Sequence, residues 1–170
     1  GRRPAPPRRD RRGVVRRKLP GHAARIVPAL DERPPAPPDL RFDRYSTYSE
    51  LLASLRALEA AYPGLVRLEV IGQSLQGRDL VVAIVNSAKT GADRDKPAMW
   101  IDANVHGNEI QGSEAVLYTI DQLAKSYGVN QQLTKLLDEK SFYCLPAQNP
   151  DGRDRWFEKP NSSSSSRSNA

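Results

Sequence analysis

The sequence predicts an α/β layered fold on three observations. Short runs of branched apolar residues alternate with longer stretches whose apolar residues recur at helical spacing. Turn residues and helix-start signals stand between them. The residues best suited to chemistry gather where a predicted strand ends and a predicted helix begins, which is where α/β folds place their ligands.

The first 42 residues stand outside this pattern. They hold nine of the fourteen prolines and the arginine pairs Arg2-Arg3, Arg8-Arg9, Arg11-Arg12 and Arg16-Arg17, with little periodic apolar pattern to bury. A disordered arm over residues 1–42 is expected, followed by a folded region over 43–170 whose serine-rich end, from about 160, is expected to be mobile. The net charge of +6 belongs to the arm: residues 1–33 carry 11 Lys or Arg against 3 Asp or Glu, and the remaining residues carry 15 against 17. Clustered arginines also suit a nucleic-acid or anionic-membrane tether. Yet the first aromatic is Phe42, so base stacking has nothing to work with. A passive arm or propeptide remnant is expected, with no nucleic-acid partner, and His22 within it is expected to be a solvated side chain.

Order begins at Thr47, which with Glu50 three residues later has the form of a capping box. The helix that follows carries Leu51, Leu52, Leu55, Leu58 and Tyr62 at helical spacing and stops at Pro63-Gly64. Val66 to Ile71 and Leu80 to Val85 read as two strands joined through Gly72 and Gly77, and Ser87 to Lys96 as an exposed loop. Ala98 to Ala103 is nearly continuous in apolar residues, the pattern of a strand covered on both faces. A second helix is expected with Ser113 as its cap and Val116, Leu117, Ile120, Leu123, Ala124 and Tyr127 on one face, closed by Gly128. A shorter helix over Gln131 to Glu139 and a strand within Ser141 to Gln148 come next, and Asn149-Pro150-Asp151-Gly152 has strong turn chemistry.

No stretch approaches the roughly 18 consecutive apolar residues of a membrane span, and no apolar core of a signal peptide stands near the start. The chain begins with glycine, so its compartment is left open. The lone Cys144 has no partner for an internal disulfide and, within Phe142-Tyr143-Cys144-Leu145, is expected to be a buried, inert thiol.

Between the strand from Ala98 and the helix from Ser113 lie His106 and Glu109. Zinc accepts imidazole nitrogen and carboxylate oxygen together, and a catalytic zinc commonly takes three protein ligands and keeps a fourth position for water. Gly107 between the two is read as relieving backbone crowding. Taken alone, a His-x-x-Glu pair is a weak signal; its surroundings strengthen it. The run His106-Gly107-Asn108-Glu109-Ile110-Gln111-Gly112-Ser113-Glu114 resembles the zinc-binding turn of the carboxypeptidase A family of metallopeptidases. Ile71 to Leu80 resembles that family's hairpin, Tyr48 to Tyr62 its first helix, and Asn149-Pro150-Asp151-Gly152 the turn after a later strand, all in the family's order.

The resemblance implies a mixed β-sheet flanked by helices, a three-layer arrangement of the phosphorylase/hydrolase type, incomplete in this chain. It implies a Zn²⁺ cofactor with His106 and Glu109 as two ligands, and hydrolysis of C-terminal peptide bonds of peptides or proteins. A secreted or periplasmic setting is also implied. The family's third ligand, a histidine, and its glutamate base are expected beyond Ala170, so the 170-residue chain is expected to be inactive by itself. An arginine usually meets the substrate's terminal carboxylate, because its planar fork matches that group. Arg167 is the candidate here, with Arg153 and Arg155 as competitors. Two alternatives stay open: a zinc-dependent amino-acid deacylase of the same fold, and a non-catalytic protein that binds an acidic partner through its basic arm.

Overall fold

The computed structural model describes residues 38–165. The order is α1 (Tyr48–Ala61), β1 (Val66–Gln73), β2 (Asp79–Val85), β3 (Ala98–Asp102), α2 (Ile110–Ser126), α3 (Gln131–Glu139), β4 (Ser141–Leu145) and α4 (Pro150–Arg155), with two single 3₁₀ turns between β2 and β3. The expected arm up to residue 37 lies outside the described residues, as do His22 and Arg167.

The strands form one mixed sheet in the order β1-β2-β4-β3. β2 runs antiparallel to both β1 and β4, while β3 is parallel to β4. Interior strands must be apolar on both faces, and β2 obeys this, with Val81, Val82, Ala83, Ile84 and Val85 all buried. One face packs beneath α1, α2 and α3 in a cluster that includes Leu51, Leu55, Leu58, Val116, Ile120, Leu137 and Phe142; the other carries Val82, Ile84 and Leu145 with Tyr143.

Three local expectations are corrected. Among the described residues the run from Ala98 is not covered on both faces: β3 stands at the edge of the sheet they form, with Met99 56% and Trp100 53% exposed. A short apolar run does not reveal how many neighbours a strand will have, and the interior place next to it belongs to β4. Ser113 does not cap α2, which starts three residues earlier at Ile110; Ser113 is buried in the first turn instead. The start is built by a reverse turn, in which Glu109 N–H donates to the His106 carbonyl at 3.1 Å. Asn149-Pro150-Asp151-Gly152 is a helix start as well as a turn, because Asn149 caps α4 by accepting from Gly152 N–H and Pro150 supplies a preset first-turn φ.

Other expectations hold. Thr47 and Glu50 form the reciprocal capping box of α1. The loop after β2 is pinned by Lys96, whose ammonium donates to Asn86 Oδ1, the Ser87 carbonyl, Thr90 Oγ1 and the Leu137 carbonyl at 2.6–3.2 Å. Cys144 is fully buried on β4, and burial pushes its thiol up to about 12. Since only the thiolate is an effective nucleophile, Cys144 in the folded chain is expected to stay unmodified by a disulfide-exchange reagent at pH 8 and to react fully once guanidinium unfolds the protein. Rapid modification of the native chain, followed by absorbance, would contradict this burial.

Candidate metal centre

Pairing between the parallel strands continues into the connections that leave them. Ala103 N–H donates to the Leu145 carbonyl (3.1 Å), Gln148 N–H to the Ala103 carbonyl (3.0 Å) and Asn149 N–H to the Asn104 carbonyl (3.0 Å). The β3–α2 loop and the β4–α4 loop therefore run side by side off the carboxyl ends of parallel strands, the position at which α/β sheets bind ligands.

The two loops touch through glycines. A Cβ on Gly107 would lie 2.9 Å from Gly152 Cα, and one on Gly152 would lie 2.7 Å from Gly107 Cα and 2.8 Å from Asn149 Nδ2. The reason for Gly107 is thus this close backbone approach, rather than relief between the two candidate ligands. Asp151 adds a second tie, fully buried and accepting from Ser74 Oγ (2.7 Å), Arg78 Nη1 (2.7 Å) and Gln76 N–H (3.2 Å), so the β1–β2 hairpin is joined to α4.

On this frame His106 and Glu109 stand together. His106 Nδ1 is 2.8 Å from Glu109 Oε1, and the other carboxylate oxygen accepts from His106 N–H at 3.1 Å. Both side chains remain partly open to solvent, at 26% and 43% exposed. Bonds of about 2.0–2.2 Å from zinc to imidazole nitrogen and carboxylate oxygen put two such donors within roughly 3.5 Å of each other. The pair matches that chemistry and that scale, so these residues fit the metal. Among the described residues no group of three or more His, Cys, Asp or Glu is arranged to hold an ion.

The arginine candidates separate. Arg153 is fully buried and engaged with the Ser46 and Ile110 carbonyls and with Glu114, so it is not available to a substrate carboxylate. Arg155 is half-buried on α4, and its carbonyl accepts from Ser162 N–H. The chain then returns to the loop, where the Ser164 carbonyl accepts from Asn108 N–H at 3.2 Å, three residues before Arg167. Sequence reasoning missed Asn104, which sits at φ +57° with 2% exposure beneath the His106 loop. Its only signal was an asparagine at a strand end, a residue type that tolerates left-handed backbone.

Comparison with known proteins agrees with this frame. The chain is 33% identical to carboxypeptidase A2 of Rattus norvegicus over 114 residues, which is 67% of this chain and 26% of that protein. Among solved structures it is similar to thrombin activatable fibrinolysis inhibitor (TM-score 0.63, 29% identity, 69% of this chain and 29% of that one). A carboxypeptidase A from Helicoverpa armigera is comparably similar (TM-score 0.62, 28% identity, 69% and 28%). The chain spans about a quarter of the length of the carboxypeptidase A2 it matches. The family described as zinc carboxypeptidase matches residues 51–170. Because that match runs from the first turn of α1 through the loop of His106 and Glu109 and past α4, the chain belongs to the zinc carboxypeptidase family.

Proposed function

We propose that this chain supplies two of the zinc ligands, His106 and Glu109, of a metallocarboxypeptidase that hydrolyses the C-terminal peptide bond of peptides or proteins. The observation that carries the reading is the 2.8 Å approach of His106 Nδ1 and Glu109 Oε1 at the carboxyl end of β3, inside the segment that matches the family. When bound, zinc would polarise the scissile carbonyl and activate water. The chain's own part is to present the donors. Glu109 is restrained from rotating freely because one of its oxygens is held by His106 N–H, and the His106 loop rests on the second loop through Gly107 and Gly152. The third ligand and the general base are assigned to residues beyond those described. Arg167 is assigned to the substrate's terminal carboxylate, supported by the contact of Ser164 with Asn108 in the same loop.

The test is zinc titration by calorimetry, with His106→Ala and Glu109→Ala beside the parent chain. Each substitution is expected to weaken binding by more than tenfold, because it removes a donor atom from the ion. Undiminished affinity in both variants would sink the assignment. In the enzyme that carries the remaining catalytic residues, peptides with a free C-terminus should be shortened, amidated ones spared, and chelation should stop the reaction.

A further inference from the structure

We infer that Asn104 is a positioning residue for the His106–Glu109 pair, acting through the backbone of their loop; the inference rests on the metal reading above. Asn104 stands just past the end of β3 in the left-handed region, at φ +57°, and is 2% exposed. Backbone of that kind is most readily adopted by glycine, yet the position carries a side chain and both ends of that side chain are used. Its amide nitrogen donates to the His106 carbonyl at 2.7 Å and more weakly to the Gly107 carbonyl at 3.5 Å. Its amide oxygen accepts from Ser113 Oγ on α2 and from Arg153 Nη1 on α4, each at 3.4 Å. Its own carbonyl accepts from Asn149 N–H at 3.0 Å. One buried amide thus joins the candidate ligand loop to the helix that follows it and to the neighbouring loop and helix.

What makes this a positioning role is which bonds a cation would leave intact. The peptide groups on either side of His106 are both restrained. Its N–H donates to Glu109 Oε2, and its carbonyl accepts from the Glu109 N–H and from Asn104 Nδ2. The contacts made by the Glu109 carboxylate use oxygens that a cation would claim. The Asn104 bond uses no donor atom of the metal pair, so it holds the His106 backbone, and with it the direction of the imidazole, whether or not metal is present. Groups that orient a ligand from behind commonly alter metal affinity by about 10- to 100-fold when removed, and a site whose support is lost becomes loose rather than absent.

Two variants test this in the 170-residue chain. Asn104→Gly keeps the left-handed backbone and deletes the amide; Asn104→Asp keeps the shape and puts an acceptor where the His106 carbonyl needs a donor. Each is read by the zinc dissociation constant from titration and by the χ1 populations of His106 from NMR couplings in the metal-free chain, well below its melting temperature. The expected result is one dominant His106 rotamer in the parent, mixed rotamers in both variants, and zinc binding weakened about tenfold. A residue that served only the fold would lower the melting temperature and leave both readouts unchanged in whichever variant folds, and that result overturns the inference. If the parent shows no zinc-dependent shift of the His106 ring even with free imidazole supplied in place of the third ligand, the metal reading has failed, and a single rotamer surviving in the variants would overturn the positioning role separately.

Discussion

Replacing Arg153 by methionine is expected to cost about 3–5 kcal/mol, the scale for breaking a buried ion pair by removing one partner. The guanidinium lies fully buried between α1, α2 and α4, with Nη2 donating to Glu114 Oε1 at 2.7 Å and to the Ser46 carbonyl at 2.6 Å. Nη1 serves the Ile110 carbonyl at 2.9 Å and Asn104 Oδ1 at 3.4 Å. Burial pulls the arginine below its ordinary value while the Glu114 carboxylate opposes that pull, and an arginine remains charged throughout the useful pH range. Removing it leaves a carboxylate that is 12% exposed together with two buried carbonyls. Restoring neutrality should help: Arg153→Met with Glu114→Leu should destabilise by less than the sum of the two single changes, by about 1–3 kcal/mol in a double-mutant cycle. Denaturant unfolding measures all four proteins. Strict additivity would mean that the pair is not coupled.

Gly152→Ala should rank second. An added methyl usually favours a helix, by about 1 kcal/mol over glycine, yet here it would meet Gly107 Cα at 2.7 Å and Asn149 at 2.8 Å. The first obstacle is backbone, which cannot turn aside as a flexible side chain would. The loops must separate, and the cost is expected near 3 kcal/mol, the upper part of the usual range for overpacking. For a folded region of this size that lowers the melting temperature by roughly 10 °C. Calorimetry reads it directly, and a change of less than about 2 °C would show that the loops part without strain. Zinc affinity should fall in the same variant, because the His106 loop is the surface being displaced.

The sequence was most legible where a signal is local. The capping box of Thr47 and Glu50, the apolar face of α2 and the strand character of β1, β2 and β4 all depend on residues within a turn or two of one another, and the structure repeats them. That the side chains of His106 and Glu109 can meet was legible for the same reason, since three residues separate them. What stayed hidden depends on distant partners. Arg153 read as a competitor for the substrate's carboxylate because its true acceptors, at Ser46, Ile110 and Glu114, are far from it in sequence. Gly107 read as a local relief because Gly152 lies 45 positions away in sequence. Asn149-Pro150 carried the chemistry of both a turn and a helix start, and only the hydrogen bond from Gly152 decides for the helix.

The short helix α4 also sets the order in which the protein can become itself. Its six residues close three of the longest loops among the described residues: Arg153 reaches Ser46 across 107 positions, Asp154 reaches Tyr48 across 106 and Asp151 reaches Ser74 across 77. Contacts of such separation are made late, because the entropy of closing the intervening chain is lost before any contact offsets it. A polypeptide emerging amino-terminus first exposes the β1–β2 hairpin and the His106 loop well before α4 exists. During that interval the hairpin can pair, whereas His106 and Glu109 belong to an unsupported loop. On the metal reading proposed for His106 and Glu109, selection of the ion would wait on a helix that carries neither residue, and slowing synthesis or folding near residue 150 should prolong the period in which a nascent chain holds that pair without a fixed geometry.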